Sequence, residues 1–356
     1  MTNKSNPILQ SISQWMQRNF SDPGAVSLFF TLLFGFLFIQ YFGRFFLPVI
    51  ISIVLAYLLL SIVRLLQDWR CPHLLSIIIV YVIFLGLFIY AFFGLIPLLW
   101  KQLSNLVQEL PHAFANSQVW INELMSRYPK IFSASLMAHI STFFKSHVAT
   151  IGQHVLQFSI ATISNVVQVV LYLVLVPLLV FFFLKDSSEI STWFSQFLPK
   201  ERGLVLGVWS EVKEKIGCYI RGRIWEILIV GFVSSVVFAL LGLQYAVLLG
   251  SLVGVAVVVP YIGAIVATIP VVIVALMEWG LNAHFFYLIA AYTLIQILDA
   301  NLIVPLLFSE TMNLHPIVII LSVVIFGGLW GFWGVFFAIP LATLVAAVLH
   351  AWPKSA

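Results

Sequence analysis

Charge is what this sequence has least of. Only 8% of its 356 residues are Asp, Glu, Lys or Arg, against roughly a quarter in a typical soluble domain, which argues against a water-soluble globular enzyme. The 17 Lys and Arg are scattered between apolar runs, so they read as topology signals rather than as a nucleic-acid surface. Cysteine is scarce too. Cys71 and Cys218 both fall in segments expected on the cytoplasmic side, where thiols stay reduced, and no disulfide is expected. Catalytic signatures are missing: there is no C-x-x-C, H-E-x-x-H, Walker loop, G-x-S-x-G or Gly-rich dinucleotide turn. Neither an enzyme nor a cofactor is expected. Among the eight histidines, His147 and His154 would share a helix face two turns apart, about 10 Å. They cannot meet on one zinc, whose nitrogen ligands lie near 2 Å, and adding His139 does not complete a set, so no metal is expected.

Apolar residues fill the space, at 62% of the chain. That composition predicts an all-α polytopic membrane bundle of about seven or eight spans of roughly 20 residues each. The first long apolar run begins near Val26, exceeds a signal-peptide core and lacks a small-residue cleavage site, so it reads as a retained span. Within residues 1–24, Ile8, Leu9, Ile12, Trp15, Met16 and Phe20 recur at helical spacing opposite Gln10, Ser13, Gln14, Gln17 and Arg18. This predicts an interfacial amphipathic helix, or one packed on the protein's own core.

Residues 25–99 hold three expected spans, 25–41, 45–63 and 74–99, the first two folded as a hairpin across a turn at Gly43-Arg44. Residues 100–157 keep a helical period around Pro111 and Pro129 and read as amphipathic helices in a small extracytoplasmic layer. A fourth span, 158–184, leads into a charged helical segment, 185–223. Its Lys185, Lys200, Arg202, Lys213, Lys215, Arg221 and Arg223 mark it as cytoplasmic, and four crossings place the N-terminus on the same side. Residues 224–350 form a C-terminal transmembrane bundle, and 351–356 a tail.

Two runs in that bundle are too long and too interrupted for simple spans. Residues 245–277 contain Pro260, Tyr261, Gly263 and Pro270; residues 316–349 contain Gly327, Gly331, Gly334 and Pro340. Proline removes a donor and clashes with the preceding turn. Freed backbone groups at bilayer depth must be covered by protein or line a wet cavity, and discontinuous helices are where transporters hold substrates and ions. Both runs are therefore predicted to be bent, re-entrant or split into half-helices that line a pathway, with Pro305 as a further interruption. Tyr261-Ile262-Gly263 before Pro270 also resembles Phe332-Trp333-Gly334 before Pro340, the pattern of an internal repeat.

Asp299 is the one acid near the middle of an apolar span. Burying a carboxylate there is costly unless it faces a cavity or a partner, so it is the leading candidate for ion coupling. Gln296, three residues earlier, shares its helix face; Asn301 points elsewhere. Arg221 and Arg223 are candidate counter-charges, and Glu226 can pair with Arg223 at i,i+3. The alternative is an interhelical ion pair that only fixes packing. Glu278, Glu310, His284 and His315 sit near expected interfaces and read as solvated. The pairs Gly250-x-x-x-Gly254 and Gly327-x-x-x-Gly331 permit close helix packing.

Taken in order, several pieces resemble the autoinducer-2 exporter family of permeases. They are Leu184-Lys-Asp186, Tyr219-x-Arg221-Gly222, Gly242-Leu-x-Tyr245-Ala246-x-Leu-Leu-Gly250, Pro260-Tyr-Ile-Gly263 with Pro270, Asp299-x-Asn301-x-Ile-Val-Pro305, Leu314-His315-Pro316, Gly327 to Gly334, and Ile339-Pro340. The resemblance implies a bacterial inner-membrane homo-oligomer that transports a small signalling molecule or exchanges sodium for protons. Many members carry an acid just before Pro-Tyr-Ile-Gly, where this chain has Val257, Val258 and Val259, which removes one carboxylate from a two-carboxylate cation site. The expected function is a secondary transporter in the lipid bilayer. The alternatives are an oligomeric passive pore and a non-transporting membrane scaffold.

Overall fold

The computed structural model describes residues 23–109, 166–196, 203–260, 262–308 and 314–351. The helix expected over residues 7–20, nearly all of the extracytoplasmic layer, His139, His147, His154, Glu310 and Tyr261 lie outside the described residues. Every regular element among the described residues is helical, as long apolar runs without internal strand punctuation dictate. The elements are α1 (Pro23–Asp68), α2 (His73–Glu109), α3 (Val166–Lys185), α4 (Ser187–Ser195), α5 (Gly203–Leu240), α6 (Ala246–Ala256), α7 (Ile262–Trp279), α8 (Ala283–Phe308), α9 (Pro316–Phe336) and α10 (Ala338–Ala351). Seven of the described helical segments are long and apolar enough to cross a membrane. The protein is an all-α, multi-pass membrane bundle.

The expected hairpin over the first two spans is not formed. α1 runs unbroken for 46 residues through Gly43-Arg44 and Pro48. Gly and Arg are both tolerated inside a helix, and an apolar run on each side leaves no polar stretch to make a turn. One helix in place of two removes the even count of crossings that supported a cytoplasmic N-terminus. The charged segment and fifth span are likewise one helix, α5, of 38 residues, so the expected boundary at 223/224 falls within it.

Two π-turns interrupt otherwise continuous helices, Ala91–Leu95 in α2 and Asp299–Ile303 in α8. Each ends two residues before a proline, Pro97 and Pro305. A widened turn moves the carbonyl four residues back away from the pyrrolidine ring, which relieves the clash a proline brings to an α-helix. Pro48, Pro177 and Pro270 lie inside α-helical register, and nothing in the structure explains the difference.

The helices form two compact units, Met1–Tyr81 with Tyr172–Arg221 and Glu310–Ala356, and Val82–Leu171 with Gly222–Ser309. In the first unit, Ser52 Oγ donates to the Pro48 carbonyl at 2.6 Å and the Val176 carbonyl at 3.3 Å, joining α1 to α3. Tyr219 Oη donates to the Phe336 carbonyl at 3.4 Å, joining α5 to α9. In the second, α5, α6, α7 and α8 surround a core that includes the fully buried Val230, Phe238, Leu249, Val271 and Leu288. There Gly250-x-x-x-Gly254 works as expected for packing: a methyl on Gly254 would come within 2.6 Å of Gly231 Cα, and one on Gly250 would strike Ser235. The other pair does not. Gly327 faces only the Val335 side chain, and Gly331 borders open space.

Candidate functional site: a helix break and a buried carboxylate

The first interrupted run divides after Ala256 into the half-helices α6 and α7. Pro260 sits in the break, whereas Pro270 lies within α7. Gly263 opens α7 so close to α6 that an added methyl would collide with the Ala256 carbonyl. The freed backbone has protein partners. Val259 N donates to Ala256 O at 3.1 Å, Gly263 N to Val259 O at 2.9 Å, and Ile262 N to Pro260 O at 2.7 Å. The Val257 carbonyl takes a hydrogen bond from Arg223 Nη1 at 2.8 Å. This break is thus covered by protein, the drier of the two possibilities the sequence raised.

Arg223 is the hub of the site. The guanidinium comes from α5, is 4% exposed, and donates from Nη1 to Glu226 Oε2 at 2.7 Å, the i,i+3 pair predicted from spacing. Its positive charge sits at the C-terminal end of α6, where the helix dipole is negative. Its carbon lies 5.1 Å from the Phe308 ring centroid of α8. Gly222 makes this approach possible, since a methyl there would come within 2.7 Å of the Phe308 ring.

Asp299 starts the π-turn of α8 and is 8% exposed. It lies within electrostatic reach of both Arg223 and Glu226. Its Oδ1 has no hydrogen-bond partner among the described residues, and neither does Gln296 Nε2. Two carboxylates therefore share one arginine, the second being Glu226 rather than an acid before Pro260. Asn301 is exposed and turns its Nδ2 back to the Ile297 carbonyl at 2.9 Å, away from the cluster. Pro305 lies just past the π-turn.

The second interrupted run kinks at Gly331, whose φ of 61° and ψ of −137° leave the helical region, and divides again at Phe337. The left-handed φ is the reason for glycine here. Gly334 repeats the Gly263 device: a methyl would collide with the Phe326 carbonyl. Pro340 falls in the first turn of α10, where its missing N–H costs nothing. This break lines a cavity of about 750 Å³ whose walls include Gln40, Gly43, Trp330, Gly331, Trp333 and Pro340. Trp330 Nε1 donates to Gln40 Oε1 at 3.0 Å across it. Arg221 pairs with no acid among the described residues: it donates to Ser61 Oγ at 3.4 Å and Cys218 Sγ at 3.2 Å and stacks over Tyr57.

A model of the AI-2E transporter family matches residues 25–354. The chain belongs to the AI-2E transporter family. Its Escherichia coli K12 relative PerM, named as a permease, is 45% identical over 346 residues, 97% of this chain and 98% of PerM. The Bacillus subtilis 168 relative YrrI, named as a transport protein, is 29% identical over 318 residues, 85% of each chain. TqsA of E. coli K12, named as an AI-2 transport protein, is 23% identical over 307 residues, again 85% of each. An AI-2E member is a membrane transporter rather than an enzyme.

Sequence reading missed several polar groups of this transporter's interior. Ser234 is fully buried on α5. Tyr292 Oη lies 3.0 Å from Thr268 Oγ1 and shares a further side-chain hydrogen bond with Gln296. Gln40 was passed over on α1. A hydroxyl or amide in mid-span was the available signal, as it was for Asp299. Glu278, by contrast, accepts from Gln244 N at 2.9 Å, and His315 Nδ1 caps α9 by accepting from Ile317 N at 3.3 Å.

Proposed function

We propose that this protein is a secondary transporter of the bacterial inner membrane that moves a small solute, or exchanges cations, and that Asp299 is the residue that changes charge during the cycle. The observation that carries the reading is the Asp299 carboxylate itself, buried in mid-span with Oδ1 unpartnered among the described residues, beside an arginine already engaged by Glu226. A carboxylate kept only for packing would be expected to make full use of that arginine. Partial satisfaction leaves room for a proton or ion.

The interrupted backbone supplies the other half of the reading. Gly331 and Pro340 line the solute-sized cavity, while Pro260 sits in the break whose Val257 carbonyl Arg223 holds, with Gly263 just beyond it. An inner membrane is favoured because a helical bundle, not a strand barrel, spans it. Lys4 and Arg18 favour a cytoplasmic N-terminus.

Reconstitution into vesicles holding a pH dye tests the proposal. Two activities are followed, proton movement driven by a sodium gradient and uptake of AI-2, the solute in TqsA's name. Asp299→Asn should abolish the activity that wild type shows while recovery in the membrane stays normal. Full activity in the variant removes Asp299 from the cycle. Solute flux that persists with both cation gradients collapsed favours a passive pore.

A further inference from the structure

Three buried polar atoms of the second unit lack a partner among the described residues: Ser234 Oγ on α5, and Gln296 Nε2 and Asp299 Oδ1 on α8. Buried polar atoms are nearly always satisfied, so three in one unit require a reason. They fall along a single seam. On α8, Asp299, Gln296 and Tyr292 recur at helical spacing and occupy one face. On α5, Glu226, Val230, Ser234 and Phe238 do the same.

The two faces run antiparallel. Phe238 meets Tyr292 with ring centroids 6.0 Å apart, and Arg223 meets Phe308 at 5.1 Å. A common register between those contacts sets Ser234 at the height of Gln296. Beyond Gln296 the polar line continues through Tyr292 Oη to Thr268 Oγ1 at 3.0 Å, and Thr268 in turn donates to the Ala264 carbonyl of α7 at 2.7 Å.

We propose that this seam is a hydrated proton path serving the Asp299 carboxyl, and that the ion loaded there is a proton and not a metal cation. The proposal rests on the transporter reading above. The hydroxyls of Ser234, Tyr292 and Thr268 can each accept one proton while releasing another, and Gln296 Nε2 can orient a water by donating to its oxygen. Each passage delivers one proton to an Asp299 oxygen and forms an O–H bond. The charged groups facing that oxygen are Arg223 and Glu226 of α5. With Asp299 ionised the three sum to one negative charge, and a single proton neutralises it. A metal cation fits poorly. It needs a shell of several oxygens, whereas here the positive charge of Arg223 already acts on the carboxylate, and no cluster of three or more His, Cys, Asp or Glu occurs among the described residues.

Infrared spectroscopy of the purified full chain in lipid provides the test, read on the carbonyl stretch of a protonated carboxyl. Wild type should show such a band, absent from Asp299→Asn, and its shift on transfer to D2O should be complete within mixing time. Tyr292→Phe with Ser234→Ala should slow that shift roughly 100-fold, the scale of losing positioned proton-transfer groups. Excess sodium should leave the band in place. Unchanged exchange in the double variant overturns the path, loss of the band on adding sodium overturns the choice of ion, and absence of any Asp299 band overturns both. If Asp299→Asn stops transport while exchange is indifferent to Tyr292 and Ser234, the path falls and the transporter reading stands.

Discussion

Arg223 illustrates how one side chain can answer several needs at once. It caps the α6 half-helix through the Val257 carbonyl, pairs with Glu226, covers the Phe308 ring and sets the field at Asp299. Removing it leaves two buried carboxylates and an unpaired carbonyl. Arg223→Met should therefore cost about 3–5 kcal/mol in thermal unfolding of the solubilised protein, whereas Arg223→Met with Glu226→Met should recover much of that loss. Equal destabilisation by the single and double changes would show that the ion pair is not the source. Tyr245 makes a second prediction, outside the spans. Its hydroxyl donates to Glu109 Oε2 at 2.6 Å, and burial first, then Glu109, hold its pKa above the usual value. The unfolded chain releases this proton near pH 10 while the folded chain keeps it. Stability from the contact is thus complete below about pH 10 and falls as pH rises further. Melting temperature should drop above that pH in wild type and less steeply in Tyr245→Phe.

At the scale of elements, the two interrupted runs use one device with different outcomes. Gly263 and Gly334 each let the second half-helix approach a carbonyl of the first. Gly331 solves another problem, a left-handed φ with open space around it. Alanine substitutions should separate the two causes. Gly263→Ala and Gly334→Ala must push backbone from backbone and should reduce folded yield sharply, while Gly331→Ala should cost about 1–3 kcal/mol of backbone strain. Equal effects at all three would remove the close-approach argument. The places where the chain breaks were legible because Gly and Pro stand out in an apolar run. What each residue does there was not. Pro260 and Pro270 look alike in sequence, yet one ends a half-helix and the other is absorbed. The π-turns left no mark beyond a following proline, which Pro48, Pro177 and Pro270 share. Asp299 and the Arg223–Glu226 pair were legible, because charge in mid-span is rare and i,i+3 spacing is fixed by helix geometry. Ser234 and Tyr292 gain meaning only from a long-range register between α5 and α8.

At the scale of the whole chain, the length of α1 raises the question of what covers it. A helix of 46 residues is roughly 70 Å long, more than twice the hydrocarbon thickness of about 30 Å. Its first half is not polar enough to stand in water. Phe30, Phe34, Tyr41 and Phe45 lie close to one helical stripe and are 61%, 72%, 74% and 79% exposed. A homo-oligomer, proposed from the family resemblance, would supply the missing cover from a second copy. In that case Phe34→Cys should give covalent dimers with a short bifunctional maleimide in lipid vesicles, at protein densities too low for chance encounters. Leu87→Cys, 63% exposed on α2 and outside the α1 stripe, should stay monomeric. Dimers from both positions would indicate collision rather than assembly. Monomers from both would return the α1 stripe to lipid and require the helix to tilt steeply or bend, with Pro48 the natural place for the bend.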